Sequence, residues 1–476
     1  MAWLKHTYAT QLPQNLYSKQ APKPVGNAQM ALFNEALAME LGIAKDLSEE
    51  QKTLAYLSGN EKVPGSQPIA QAYAGHQFGH FTRLGDGRAV LLGEVETSKG
   101  RYDLQLKGSG QTPYSRRGDG RATFYSMLRE YLISEAIHAL HIPTTRSLAV
   151  VKTAGPVYRE QRHEGGILTR VAASHIRVGT FEYARFLGQP GDLEALLKYT
   201  IQRHYPALKD HPNPALALLE AVRQKQKDLI VNWLRVGFIH GVMNTDNMAI
   251  SGETIDYGPC AFMNAYHPRT VFSSIDTDGR YAFANQPNIA YWNLGVFANA
   301  LLPLIDEEEA IASAKAEEVL DRFPEDFTGA YFEMMGHKLG IVNQVEEDRD
   351  LVNSGLKLLA KWRVDYTNFF TELRRGGDLI NKLREEEAFE NWHSRWEKAR
   401  LRGTSLTESN ALMAQTNPVA IPRNHLVEEV LQSAVAGDMQ PFHSLLQELS
   451  SPYDDGLSLQ TVPADFDASY QTFCGT

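Results

Sequence analysis

Two short stretches in the middle of the chain carry side chains able to hold a metal–nucleotide complex: His240-Gly-Val-Met-Asn-Thr-Asp-Asn247 and Asp256-Tyr-Gly258. Mg²⁺ favours a carboxylate, an amide oxygen and phosphate oxygens, and Asn247 with Asp256 supplies the first two. Upstream, the tetrapeptide Gly-Asp-Gly-Arg occurs at 85–88 and again at 118–121. Glycines let backbone N–H groups approach a phosphate without a Cβ in the way, and the arginine adds charge. Each copy alone reads as an ordinary Asp-Gly turn, with Asp119 a capping residue for the helix expected from about Ala122. Together, with Arg116, Arg117 and Arg121 crowded at a helix N-terminus, the two copies read as an anion site as readily as a pair of turns.

Lys107 ends the strand-like run Tyr102–Lys107, from where a lysine can project over a nucleotide. In the following helix Met127, Ile133 and Ile137 share a face, and Glu130 falls on that stripe, where a carboxylate needs a cation. Lys107 and Glu130 are therefore expected to pair. Arg170 and Arg177 flank Val171-Ala-Ala-Ser-His-Ile and could converge on a triphosphate tail through forked hydrogen bonds. Histidines and cysteines lack the spacing of a zinc site.

The order of these groups matches a protein-kinase layout with one position missing. In H-R-D-x-x-x-x-N the Asp is the base and the Asn holds metal, and D-F-G adds a carboxylate. His240, Asn247 and Asp256 fit, but Val242 falls on the base and cannot accept a proton. The nearest acid is Asp246. Two other readings follow from the same loop: a conventional phosphotransferase, and a pseudokinase scaffold that holds ATP without turning it over.

The elements that must position these groups are strand, strand, helix, strand, strand: Ala89–Val95, Tyr102–Lys107, Ala122–His141, Arg146–Thr153 and Gly166–Ala172, with a hairpin turn at Lys99-Gly100. Helices are expected over Pro214–Val236, Glu307–Leu320, Leu351–Phe370, Leu426–Ala436 and Pro441–Leu449, and one amphipathic stretch over Ala28–Leu41. The fold class is α+β, a protein-kinase-like two-lobed arrangement. Residues 1–60 form an N-terminal extension, 61–178 the small lobe, 179–400 the large lobe and 401–476 a helical extension ending in a polar, mobile tail. Net charge of −10 and a pI near 5.9 argue against nucleic-acid binding. No uninterrupted apolar run reaches the length of a membrane span, Asn293–Ile305 coming nearest. No secretory or transit signal opens the chain, and two cysteines suit a reducing compartment, so a cytoplasmic protein is expected, with a monomer as the default.

Longer motifs carry a family resemblance. Leu106-Lys-Gly-Ser-Gly-Gln-Thr-Pro-Tyr-Ser-Arg-Arg-Gly-Asp-Gly-Arg121, His240–Asn247, Asp256-Tyr-Gly-Pro-Cys260 and Arg280-Tyr…Asn285-Gln-Pro…Trp292-Asn-Leu look like the selenoprotein O family, from about Gln71 to Leu301 and more loosely to the C-terminus. The resemblance implies a kinase-like enzyme that transfers AMP, not phosphate, from ATP to protein Ser, Thr or Tyr hydroxyls, with the nucleotide inverted relative to kinases. It implies ATP contacts at Gly85, Gly87, Arg88, Lys107, Asp119, Gly120, Arg170, Arg177 and Asp256, a helix glutamate at Glu130, a base at Asp246, and Mg²⁺ (or Mn²⁺) on Asn247 and Asp256. The selenocysteine common in eukaryotic members is absent; Cys474 stands near the end instead. The family's redox association makes Cys260 and Cys474 a candidate disulfide pair that would pin the tail over the site.

Overall fold

The computed structural model describes residues 3–463 and 466–473. Runs of alternating and β-branched residues in the first third pair as an antiparallel sheet. Its strands are β1 (Tyr17–Lys19), β2 (Gln29–Phe33), β3 (Ile69–Gln71), β6 (Ala89–Thr97), β7 (Gly100–Lys107), β8 (Ala122–Thr123), β9 (Arg146–Tyr158) and β10 (Arg162–Ala172), and a separate hairpin joins β4 (Ala74–Gln77) to β5 (His80–Arg83). The path across the sheet is β1-β3-β6-β7-β10-β9-β2, with β8 paired to β10. The expected turn at Lys99-Gly100 connects β6 to β7, Thr97 facing Gly100. The Phe124–Ala139 helix packs on β9 and β10, burying Met127, Ile133 and Ile137 with Glu130 among them.

From Val178 onward the chain is helical apart from β11 (Phe238–Ile239) and β12 (Ala261–Phe262). The Pro214–Val236 helix starts with Pro214 in its first turn, behind an Asn213 cap, and stops at Gly237, whose φ is 76°. It packs against Gln286–Ile305. Phe283–Ile305 is long and apolar enough, by length and composition alone, to cross a membrane, and the uninterrupted apolar run Asn293–Ile305 is only its second part. Here it lies in the core, with Leu294, Phe297 and Leu301 buried.

Three expectations are corrected. Ala28–Leu41 is not one amphipathic element: β2 ends at Phe33, and Asn34 caps a short Glu35–Glu40 helix through Leu37 N–H. Leu351–Phe370 is two helices, Asp348–Trp362 and Tyr366–Arg375. Arg363 turns left-handed between them (φ 51°), and the Asp365 side chain caps the second. The tail is not loose over its described part. Asp467 accepts from Asn264 Nδ2 (2.7 Å), Tyr470 donates to Glu428 (2.8 Å), and Thr472 bridges to Ser273.

Candidate active site

Lys107 is the last residue of β7, and its Nζ lies 2.5 Å from Glu130 Oε2 and 2.5 Å from Asp256 Oδ1. The other Glu130 oxygen accepts from Arg170 Nε and Nη2 (2.8 and 2.6 Å), and Arg170 Nη2 is 3.6 Å from Asp256. Sheet, helix and loop thus meet through two cations and two carboxylates in alternation. Burial favours the neutral acid at Glu130, yet Arg170 and Lys107 outweigh it and hold its carboxyl below the usual range. Asp256 is likewise held far down, by Lys107, Arg88 and Arg170 against burial. Burial and Arg170 push Lys107 down; with two ionised carboxylates in contact we take it as charged. Lys107, Glu130 and Asp256 line a cleft of about 560 Å³ with Arg88, Met127, Gly258 and the tail residues Tyr470–Phe473, while Arg170 lies behind Glu130.

The two polar loops are set side by side because β11, which leads into the first, pairs antiparallel with β12, which leads out of the second. His240 is structural: its Nε2 meets the Ile255 carbonyl (3.0 Å) and its ring stacks on Trp233. Val242 is buried, and its carbonyl accepts from Asn247 Nδ2 (3.0 Å), which fixes the amide. Asp256 sits left-handed at φ 69°, a conformation few non-glycine residues adopt. One carboxylate and one oriented amide fit a divalent ion whose other ligands come from phosphate and water. Among the described residues no cluster of three or more His, Cys, Asp or Glu could hold a metal without such help.

Asp246 is buried, with Oδ1 lacking a hydrogen-bond partner, and burial, opposed by Arg177, pushes its carboxyl up to about 6. Arg177 Nη1 donates to the Asp246 backbone carbonyl (3.0 Å), and its guanidinium lies 4.3 Å from the Tyr73 ring. The β4–β5 hairpin clamps this loop. His76 N–H donates to Thr245 Oγ1 (2.7 Å) and Phe78 N–H to Asn244 Oδ1 (3.1 Å). A Cβ on Gly75 would fall 2.5 Å from Asp246 Oδ1. Sequence reading missed the hairpin, although Ala74-Gly-His-Gln-Phe-Gly79, with glycines beside aromatic and histidine residues, carried a signal.

The other candidates divide. Arg88 joins the Lys107 cluster; Asp246, Asn247 and Arg177 do not line that cleft. Arg170 and Arg177 do not converge on open space: one grips Glu130, the other the Asp246 carbonyl, and between them lies buried Asp86, which accepts from Gln71 N–H and Gln105 Nε2. Gly85 and Gly87 pack on Tyr114 and Ser115, where a Cβ would lie 2.4 Å from the Tyr114 ring and 3.0 Å from the Tyr114 carbonyl oxygen respectively. Asp119 is not a helix cap. It accepts from Arg121 N–H and pairs with Arg159 (3.0 Å), while Thr123 caps a helix that begins at Phe124, later than expected. Gly120, at φ 67°, packs on Gly110. Cys260 is buried, its thiol pushed up to about 11 by burial; Cys474 lies outside the described residues.

Residues 3–450 match the family model described as protein adenylyltransferase SelO. The chain belongs to this family. It is 52% identical to the protein nucleotidyltransferase YdiU of Brevibacillus brevis over 473 residues, covering 98% of this chain and 96% of that protein. Its identity to the protein of the same name from Alcanivorax borkumensis is 52% over 472 residues, covering 98% and 97% of the two. With that of Halalkalibacterium halodurans it is 50% over 486 residues, covering 100% and 98%. SelO membership makes the chain an enzyme, a protein adenylyltransferase.

Proposed function

We propose that the protein transfers AMP from ATP to Ser, Thr or Tyr hydroxyls of other proteins and releases pyrophosphate, in a kinase-like two-lobed frame with ATP inverted. One observation carries the reading: a complete Lys107–Glu130–Asp256 constellation stands next to a loop whose base position is a buried valine. A γ-phosphate in the ordinary kinase orientation finds no proton acceptor at Val242. In the inverted orientation the acceptor oxygen attacks the α-phosphorus and the bond to the bridging oxygen breaks. The electron pair leaves on pyrophosphate. Asp246 takes the hydroxyl proton, its carboxyl raised towards neutrality by burial as a base requires. Arg88 and Lys107, which line the cleft, stabilise charge on the phosphates, the main lever in such transfers, and Arg170 adds positive charge from behind Glu130. A divalent ion, Mg²⁺ or Mn²⁺, held by Asn247 and Asp256 would neutralise phosphate charge.

The remaining site assignments, Gly85, Gly87, Asp119, Gly120 and Arg177 around ATP, belong to the same proposal, as do the monomeric state and a Cys260–Cys474 redox pair. Contact of Thr472 Oγ1 with the Pro259 carbonyl (2.6 Å) supports the last by bringing the tail beside Cys260. Incubation with α- or γ-labelled ATP and either ion tests the central claim. We expect α-label on protein and pyrophosphate in solution, with Asp246→Ala lowering turnover more than ATP affinity. Transfer of γ-label with α-label silent would replace this reading with a phosphotransferase.

A further inference from the structure

The β4–β5 hairpin has two faces. Gly75 abuts Asp246, and strand alternation sends His76, together with its cross-strand partner Phe81, and Arg83 to the other side. There the rings run in an unbroken series: Trp292 to His76 (5.4 Å), His76 to Phe81 (5.5 Å), Phe81 to Phe186 (5.9 Å). Arginines sit along it. Arg280 lies 4.9 Å from the Trp292 ring, Arg185 5.5 Å from Phe186, and Arg83 6.0 Å from Tyr183. Phe81 and Phe186, in ring contact, are 42% and 44% exposed, and Leu187, next in the chain, is 39% exposed, so the apolar surface here is clustered and not scattered.

We infer that this strip docks the acceptor protein through an acidic, hydroxyl-bearing segment with an apolar residue beside the hydroxyl; the inference rests on the adenylyl-transfer reading above. Charge selects the partner. The chain carries a net charge of −10, yet among the described residues Arg83, Arg185 and Arg280 form no ion pair. Arg280 Nε is buried without a hydrogen-bond partner, and nearby Asp276 accepts from the backbone N–H groups of Arg280 and Tyr281 (2.8 Å each). The acid under the strip, Glu182, is buried and engaged by His76 Nδ1 (2.5 Å). Arg83 and Arg185 are exposed and Arg280 half-buried, and arginines interleaved with aromatic rings are the composition of a protein-binding surface. Position agrees: the hairpin that carries the strip is tied to the Asp246 loop, His76 N–H donating to Thr245 Oγ1 (2.7 Å), so the strip borders the loop of the proposed base.

The test uses the full-length enzyme and two short fluorescent peptides, each with one serine and one leucine, flanked by glutamates in one and by lysines in the other. Anisotropy should show the glutamate peptide binding at least about tenfold more tightly, with the preference shrinking as salt rises. Arg83→Glu/Arg185→Glu should reverse the preference while ATP affinity and melting temperature hold, and α-label transfer to the glutamate peptide should fall through KM with kcat retained. Phe81→Ser should weaken both peptides. Equal binding of the two peptides by the unaltered enzyme, or indifference of the double variant, overturns the inference even if α-label is transferred. Label arriving from the γ-position instead would overturn the adenylyl-transfer reading and leave the binding result standing.

Discussion

Lys107 touches two carboxylates and Glu130 touches two cations, so neither residue can be removed alone without stranding a buried charge. Lys107→Ala and Glu130→Ala should each lower kcat/KM severely, and the double variant should lose far less than the summed free energies. Additive losses in a double-mutant cycle would show that the two act separately. Asp86 belongs to the same scale. Burial raises its carboxyl to about 6, from an ordinary 3.8, against the pull of Arg177. The folded protein therefore holds that proton more tightly than the unfolded chain, and stability falls as pH rises through this window, by at most about 3 kcal/mol. Asp86→Asn should flatten that slope in denaturation measured below and above the window. An unchanged slope would mean that Arg170 and Arg177 compensate the charge fully.

At the scale of elements, the β4–β5 hairpin fixes the candidate base from outside its own loop. Gly75→Ala puts a methyl group 2.5 Å from Asp246 Oδ1, closer than the two atoms can approach without a shift. We expect turnover to drop at least about tenfold with ATP affinity retained, since a small misplacement of a reacting group is costly. Wild-type turnover in that variant would mean that Asp246 has room to move and that the hairpin does not position it. The Phe124–Ala139 helix makes a second such link. Arg129, next to Glu130, donates to the carbonyls of Gly258 (3.3 Å) and Cys260 (2.7 Å) and pairs with Glu428 (3.2 Å). Arg129→Ala should loosen the Asp256 loop and weaken metal-dependent ATP binding, measured by calorimetry with and without the divalent ion. Much of this scale was legible. The apolar stripe through Met127, Ile133 and Ile137 located the helix, and the place of Glu130 on it located the ion pair. The hairpin was not, because its turn, Phe78-Gly79 with φ of 51° and 87°, puts a phenylalanine where asparagine would signal a turn.

At the scale of the whole molecule, the described tail closes one side of the Lys107 cleft. Tyr470 and the Tyr125 hydroxyl both bond Glu428, and Thr472 reaches Pro259, so tail, helix and Asp256 loop share one network. If Cys260 and Cys474 pair, reductant should raise α-label transfer to protein acceptors and Cys474→Ala should abolish that response. Activity indifferent to reductant would exclude the pair. Burial of Cys260, with its thiol raised to about 11, predicts slow exchange and hence a lag of activity behind addition of reductant.

Local chemistry determined what the sequence could determine alone. Gly237 after a periodic helix, the Lys99-Gly100 turn and the spacing from His240 to Asn247 to Asp256 depend on residues close in the chain, where propensity and geometry act directly. The tertiary structure decided the rest, because it depends on which distant groups meet. Asp119 has the composition of a cap, but Arg159 claims it. Arg170 and Arg177 are seven residues apart, yet Glu130 takes one and the Asp246 carbonyl the other. Gly75 matters only because the chain brings Asp246 against it, a contact between residues 171 positions apart that no local pattern encodes.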